Sequence, residues 1–396
     1  MSLALTAPLS AEDSCVQPAE EASPAKWNLA HTTWFFETFI LERWEKPFRP
    51  FDSAFRVLFN SYYNAVGEKH PRPFRGLLTR PSLEFVLEYR HKVDERILRL
   101  HDDVWGEPEF QSLLELGLNH EQQHQELLLT DQKLLFSLNP LAPAYHERRL
   151  TASSGVPLSW KKFPAGLVEI GHRGEAFAFD NEAPRHQVFV QGYQLASRLT
   201  TNAEYAVFVE QGGYDDPQYW LAEGWDWRTK QGRTHPLYWR PHAQGWSEFT
   251  LSGLVDLDPN RPAVHLGYFE ADAFARWAGA RLPTEAEWEN AAQTVPFTGH
   301  FAGSGEFHPR AAPEGELVQM LGDAWEWTSS SYAPYPGYHA ASGAVGEYNG
   351  KFMVNQYVLR GGSCATPDDH VRTTYRNFFP TWACWQFSGI RLAREA

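Results

Sequence analysis

His120 and His124 stand four residues apart in the run His120-Glu121-Gln122-Gln123-His124. On a helix that spacing sets one imidazole a turn above the other, facing the same way. The rest of the stripe is Leu113, Gly117, Leu127 and Leu128, so it turns both rings toward a bundle interior. His31 sits in the same manner between Trp27 and Trp34 on another helical stripe. Two histidines from one helix and one from a facing helix make a facial three-nitrogen site with open positions. Neutral imidazole serves Fe, Zn, Cu and Ni alike, so spacing does not choose the ion. Hydrogen-bonded core or surface histidines remain the other reading of this pattern.

The same five residues match H-E-x-x-H, in which Glu121 would be the general base of a zinc hydrolase. No downstream ligand stands out, and the Gln-rich run continues into Gln125 and Glu126, which is not protease-like; hydrolysis stays as the alternative. Tyr62 and Tyr63 are two adjacent phenols, fit either to anchor a loop or to give a proton or electron to an oxygen species beside a metal. Arg72 and Arg75, around Pro73, are either solvated cations or a bidentate grip for a substrate carboxylate.

Four helices are needed to carry these groups. Apolar spacing predicts one from near Pro24 through Leu41, one over Phe51 to Phe59, one from Leu83 to Leu100 and one from Leu113 to Leu128. Four amphipathic helices describe a bundle. The connection from Ser61 to Pro81 is rich in Gly, Pro and Arg, and loops of this length in a compact domain tend to be functional. Asn139–Pro143 stops the last helix, and Thr151–Gly155 reads as a linker. Beyond it the pattern changes to short strands, Gly166–Ile170 and His186–Val190, between loops rich in Gly, Pro and Trp. One helix start is explicit, where Thr284 and Glu287 fit a capping box. The expected domains are 1–150, helical, and 151–396, α+β with little regular structure.

Composition bounds the function. The chain has 396 residues, too many for one ordinary core. A net charge of −14 argues against nucleic acid or an anionic membrane as main partner. Cys15, Cys364 and Cys384 are odd in number and lack paired spacing, which supports neither a disulfide framework nor a thiolate zinc site. The opening residues show no basic, apolar leader, and no long apolar run follows, so the cytoplasm is the expected location.

At these residues the chain resembles the EgtB family of ergothioneine-biosynthesis sulfoxide synthases. Trp27-Asn-Leu-Ala-His31-Thr-Thr-Trp-Phe-Phe-Glu37 and Asn119-His-Glu-Gln-Gln-His124 are similar to that family's DinB-type four-helix bundle. Arg281-Leu-Pro-Thr-Glu-Ala-Glu-Trp-Glu289, Gly322-Asp-Ala-Trp-Glu-Trp-Thr328, Leu359-Arg-Gly-Gly-Ser363 and Ser388-Gly-Ile-Arg-Leu392 resemble the formylglycine-generating-enzyme/sulfatase-modifying domain, a C-type-lectin-like fold. The second set alone says little about activity, because that fold serves many. The combination is specific.

The resemblance implies an O2-dependent oxidoreductase with Fe(II) held by His31, His120 and His124. Its substrates would be a cysteine-type thiol, O2 and hercynine, the trimethylated histidine. Gln123 and Asn377 would touch hercynine, Arg72 and Arg75 the thiol's carboxylate, and Tyr62 and Tyr63 would be catalytic. Relatives using γ-glutamylcysteine carry an Arg-Asn-Trp-Asp string and a later Arg. Here Phe378, Phe379 and Ala383 take the corresponding places, so the glutamyl charges would lie unpaired and free cysteine is the expected donor. The chain also begins close to helix one, so some leading residues of the usual family length are expected to be missing. Ovothiol-type coupling, which usually brings a methyltransferase domain, formylglycine formation, which needs a copper-binding cysteine pair, and a non-catalytic binding module are the lesser alternatives.

Overall fold

The computed structural model describes residues 1–151 and 153–396, and Ala152, inside the expected linker, lies outside the described residues. The chain divides into two compact units. The first comprises Met1–His146 with Ala341–Tyr348, and the second Glu147–Ala340 with Asn349–Ala396. The eight residues Ala341–Tyr348, expected in the second half, thus belong to the first. Two ties hold them there: the Glu347 carboxylate accepts from the backbone N–H groups of Asn64 and Ala65, and Tyr348 donates to Gln123.

The first unit is helical, as expected. Its axis is α2, Ala25–Phe36, buried on all sides; α1, Ser2–Thr6, precedes it. A helix buried around its whole circumference needs neighbours on every face, and its polar members Lys26, Asn28 and His31 need partners there. The helix expected over Phe51–Phe59 shrinks to one turn, α3, Phe55–Leu58. The residues before it are taken by side chains: Phe51 N–H donates to Glu37 and Ala54 N–H to Asp52. Those local bonds compete with a helical start.

The next helix, α4 (Leu83–Leu98), is capped by Ser82 and faces inward through Val86, Tyr89, Val93 and Ile97. The last, α5, runs from Pro108 to Ser137 and is longer than the apolar stripe indicated. It meets α2 closely at Gly117, where an added Cβ would stand 2.6 Å from Phe36 Cε1. That approach sits one turn before His120 and brings its ring up to α2. After Phe36 the helix loosens into a π turn, Glu37–Leu41. Here the buried Glu37 accepts from Tyr89 Oη at 2.7 Å and from Arg96 at 3.2 Å.

The second unit is built on short strands. They are β1 (Trp160–Phe163), β2 (Gly166–Ile170), β3 (His186–Val190), β4 (Tyr193–Ala196), β5 (Trp239–His242) and β6 (Gly245–Thr250). After these come β7 (Gly253–Asp256), β8 (Trp325–Ser331), β9 (Gln356–Arg360), β10 (Asn377–Pro380), β11 (Ser388–Gly389) and β12 (Ala393–Glu395). The sheets have strand orders β1-β4-β12, β10-β9-β8-β11, β2-β3 and β5-β6-β7. β2 and β3 fall where the alternation placed them and pair antiparallel, Gly166 opposite Val190. The Thr284–Glu287 capping box forms and opens helix Glu285–Ala292.

Buried ion pairs replace a long regular ladder as the organising device. Arg391 grips Glu326 with two bonds of 2.7 and 2.8 Å, and Arg360 holds Glu289 at 2.8 Å, all four side chains being fully buried. Trp288 Nε1 donates to the same Glu326. Every one of these residues lies in a motif singled out above, so those motifs encode the framework of this unit. Cys15, Cys364 and Cys384 are free thiols. Among the described residues no helix is long and apolar enough to cross a membrane.

Candidate metal centre

The three histidines converge. One nitrogen from each of His31, His120 and His124 lies within 4.8 Å of the other two. His31 Nε2 and His120 Nε2 are 3.2 Å apart. Two donors about 2.1 Å from one ion and at right angles stand about 3.0 Å apart, so the spacing suits neighbouring positions in one coordination sphere. His31 and His120 are buried, while His124 keeps the most exposure of the three.

The ring orientations are set from behind. A carbonyl oxygen only accepts, so the 2.6 Å contact of His31 Nδ1 with Phe59 O puts the proton on Nδ1 and leaves Nε2 bare. His124 Nδ1 likewise donates to Asn28 Oδ1 at 2.9 Å. A ligand histidine whose second nitrogen is held in this way has a fixed tautomer and greater basicity. His120 differs: its Nδ1 is buried with no hydrogen-bond partner among the described residues, and its ring is backed by Phe35 at 4.7 Å. His31 lies between two indoles, Trp27 at 4.7 Å and Trp34 at 5.6 Å, both nearly parallel to it.

Burial lowers all three imidazoles. It pushes His120 down to about 3, and His31 and His124 well below the ordinary range, with the neighbouring rings and Arg75 and Arg72 adding to the effect in the latter two. The rings are therefore neutral at physiological pH, the form that binds a metal. Converged neutral nitrogens from three rings, two of them anchored from behind, fit a transition-metal ion.

Glu121 does not join them. Its carboxylate accepts from Ser2 on α1 and pairs with Arg90 on α4 at 2.5 Å, both charged groups being largely buried. The base that a zinc hydrolase needs is thus committed to holding three helices together.

Tyr63 is fully buried among Trp34, Phe35 and Phe39, and burial raises its phenol well above the usual value. Tyr62 is half-buried and stacks on Tyr63 at 4.6 Å, with the two hydroxyls 3.5 Å apart. A third phenol escaped the sequence. Tyr348 packs its ring 5.7 Å from His120 and 6.5 Å from Tyr62, and its hydroxyl donates to Gln123. It lies in a stretch of Ala, Gly and Ser with no periodic pattern. Asn28 was also missed, although it precedes His31 by three residues on the same helical face and spacing could have found it.

The two arginines separate. Arg75 is buried, its Cζ is 3.4 Å from the Trp27 ring centroid, and its Nη1 donates to Ser23 Oγ at 3.0 Å. Burial pulls it down to about 8. Arg72 is exposed and donates to the Glu21 carbonyl. In the second unit, Asn377 opens β10 and turns its Oδ1 onto the Phe378 N–H. Phe378 stacks on Tyr332 at 4.0 Å, Phe379 packs against Trp385, and Ala383 is fully buried.

Comparison with known proteins agrees with both halves. Residues 1–128 match the DinB superfamily, and residues 162–315 and 297–396 match the sulfatase-modifying factor enzyme 1-like domain. The hercynine oxygenase of Mycolicibacterium thermoresistibile is 33% identical over 94% of this chain and 87% of its own length. That of Mycobacterium tuberculosis is 30% identical over 96% and 92%. The formylglycine-generating enzyme of Streptomyces coelicolor is 28% identical over 53% of this chain and 79% of its own.

Proposed function

Because the chain belongs to the hercynine oxygenase family of EgtB-type enzymes, we propose that it couples the thiol of free cysteine to C2 of hercynine with O2, forming the sulfoxide used in ergothioneine biosynthesis. The thiol S–H and the imidazole C2–H are lost as the C–S bond forms. One oxygen atom ends on sulfur and the other in water, so the two organic substrates supply all four electrons and no external reductant enters.

The observation that carries this reading is the triad: one nitrogen from each of three neutral imidazoles lies within 4.8 Å of the other two, and two of the rings are anchored from behind by Phe59 O and Asn28. Bound there, Fe(II) would supply open coordination positions and one-electron reactivity toward O2. The residues around it do the rest. Arg75 holds the cysteine carboxylate, replacing a random encounter with a positioned one. Gln123, oriented by Tyr348, meets hercynine. Asn377 is assigned to hercynine on the family resemblance.

Tyr63 keeps its phenolic proton because burial disfavours its phenolate, and Tyr62 stacks on it. A proton delivered from this pair diverts the oxygen chemistry away from oxidising the thiol to sulfinate. Free cysteine rather than γ-glutamylcysteine is favoured by Phe378, Phe379 and Ala383, which offer no partner to a second carboxylate or an amine.

The test is anaerobic loading with Fe(II), followed by cysteine, hercynine and O2. One O2 consumed per sulfoxide, with cysteine preferred to γ-glutamylcysteine, is expected. Turnover without O2 on a zinc-loaded protein would remove the proposal.

A further inference from the structure

Arg75 is a buried cation whose charge is supported only in part by Asp131. It is 4% exposed, its Nη1 donates to the neutral Ser23 hydroxyl, and its Nε is buried without a partner among the described residues. An N–H left bare inside a protein is costly unless a ligand completes it. The guanidinium lies on Trp27, whose ring also stacks on His31, so an anion that completes it would sit close to the histidine triad.

The segment that carries Arg75 has no apolar anchor of its own. Arg72–Leu77 forms tight 3-10 turns. Phe74 and Leu77 within it are 52% and 73% exposed, so hydrophobic burial does not hold this stretch in place.

Two polar side chains hold it instead. Lys26, on α2 and 4% exposed, reaches the segment's exit, where Nζ donates to the carbonyls of Leu78 at 2.8 Å, Thr79 at 3.3 Å and Pro81 at 2.9 Å. An ammonium has three protons, and each meets one carbonyl. Gln17 grips the entry: its Nε2 donates to Arg72 O at 3.0 Å, and its Oε1 accepts from Gly76 N–H at 2.8 Å. It lies flat against Gly76, where an added Cβ would stand 2.7 Å from Gln17 Cβ. Both ends of the turn are thus fixed without any ligand.

We infer that Lys26 and Gln17 are positioning residues for capture of the thiol substrate, presetting the Arg72–Pro81 segment so that Arg75 meets the substrate carboxylate without a prior ordering step. The inference rests on the proposed role of Arg75. Ordering a loop at the moment of binding weakens affinity, and fixing it beforehand removes that cost. Loss of either pin therefore acts on cysteine capture and leaves the chemistry at saturation intact.

The experiment compares steady-state kinetics of the iron-loaded full chain in Lys26→Met, Lys26→Arg, Gln17→Ala and Arg75→Met. Lys26→Met and Gln17→Ala are each expected to raise the cysteine KM by roughly tenfold, with kcat and the hercynine KM within about twofold of the parent. Lys26→Arg keeps a cationic donor and recovers part of the loss. If Lys26→Met does not fold, Gln17→Ala carries the test alone. Equal rises in both KM values, or a fall in kcat alone, would make the pins general supports of the fold and overturn the inference. An unchanged cysteine KM in Arg75→Met defeats the role of Arg75 itself. An effect there with none at Lys26 or Gln17 defeats only the inference.

Discussion

Replacing Asn28 by leucine removes the acceptor that fixes the His124 tautomer. The bond is 2.9 Å long, and Asn28 is buried, so water does not replace the amide easily. In the variant, His124 Nδ1–H is either left unpaired or moves its proton to Nε2, the atom the ion needs. An unpaired buried donor costs about 1–3 kcal/mol. Loss of such a partner lowers metal affinity by roughly 10–100-fold, equal to about 1.4–2.8 kcal/mol. Asn28→Asp, which gives His124 a stronger acceptor, is expected to bind at least as tightly as the parent. The assay is competition with a chelator of known affinity, using Fe(II) under argon or Co(II) in its place, with thermal unfolding run in parallel. Affinity within twofold of the parent in Asn28→Leu, alongside complete loss in His124→Ala, would refute the reasoning that the back side of this ring matters.

Other perturbations separate the remaining roles. Glu121→Gln breaks a largely buried pair with Arg90 and is expected to cost about 3 kcal/mol in denaturant unfolding while metal content and kcat persist; a zinc hydrolase would instead lose its turnover. Tyr62→Phe and Tyr63→Phe are expected to shift product from sulfoxide toward cysteine sulfinate, read by mass spectrometry, and an unchanged ratio in both removes the phenols from the chemistry. His370, buried beside Tyr375, is pushed from 6.5 to about 3 in the fold. The unfolded chain then binds the extra proton between those values, so stability is full above 6.5 and falls as pH drops, by about 1.4 kcal/mol per pH unit from this residue. His370→Gln should flatten that slope in urea midpoints measured from pH 7 to 4.

The parts of the site that repeat along one helix were legible in the sequence. His120 and His124 share a face by spacing, and His31 advertised itself between two tryptophans; the converging rings bear out that geometry. Strands β2 and β3 and the Thr284 cap followed from local pattern alone. The failures share a cause in long-range contact. Nothing local in Phe51–Phe59 reveals that Glu37 takes the Phe51 N–H and cuts the helix to one turn. Tyr348 and the Phe59 carbonyl reach their histidines through tertiary packing, across 228 and 28 positions of chain, which periodicity does not record. Arg72 and Arg75 looked equivalent, and only burial of one against Trp27 tells them apart.

The central claim is that imidazoles from α2 and α5 share one metal ion, and metal stoichiometry tests it most directly. The parent and single alanine variants at His31, His120 and His124 would be loaded anaerobically with Fe(II), desalted and assayed for iron per chain, with circular dichroism to verify the fold. One ion per chain in the parent and almost none in each folded variant is the expected result. Full retention of iron after loss of the His31 ring would contradict it.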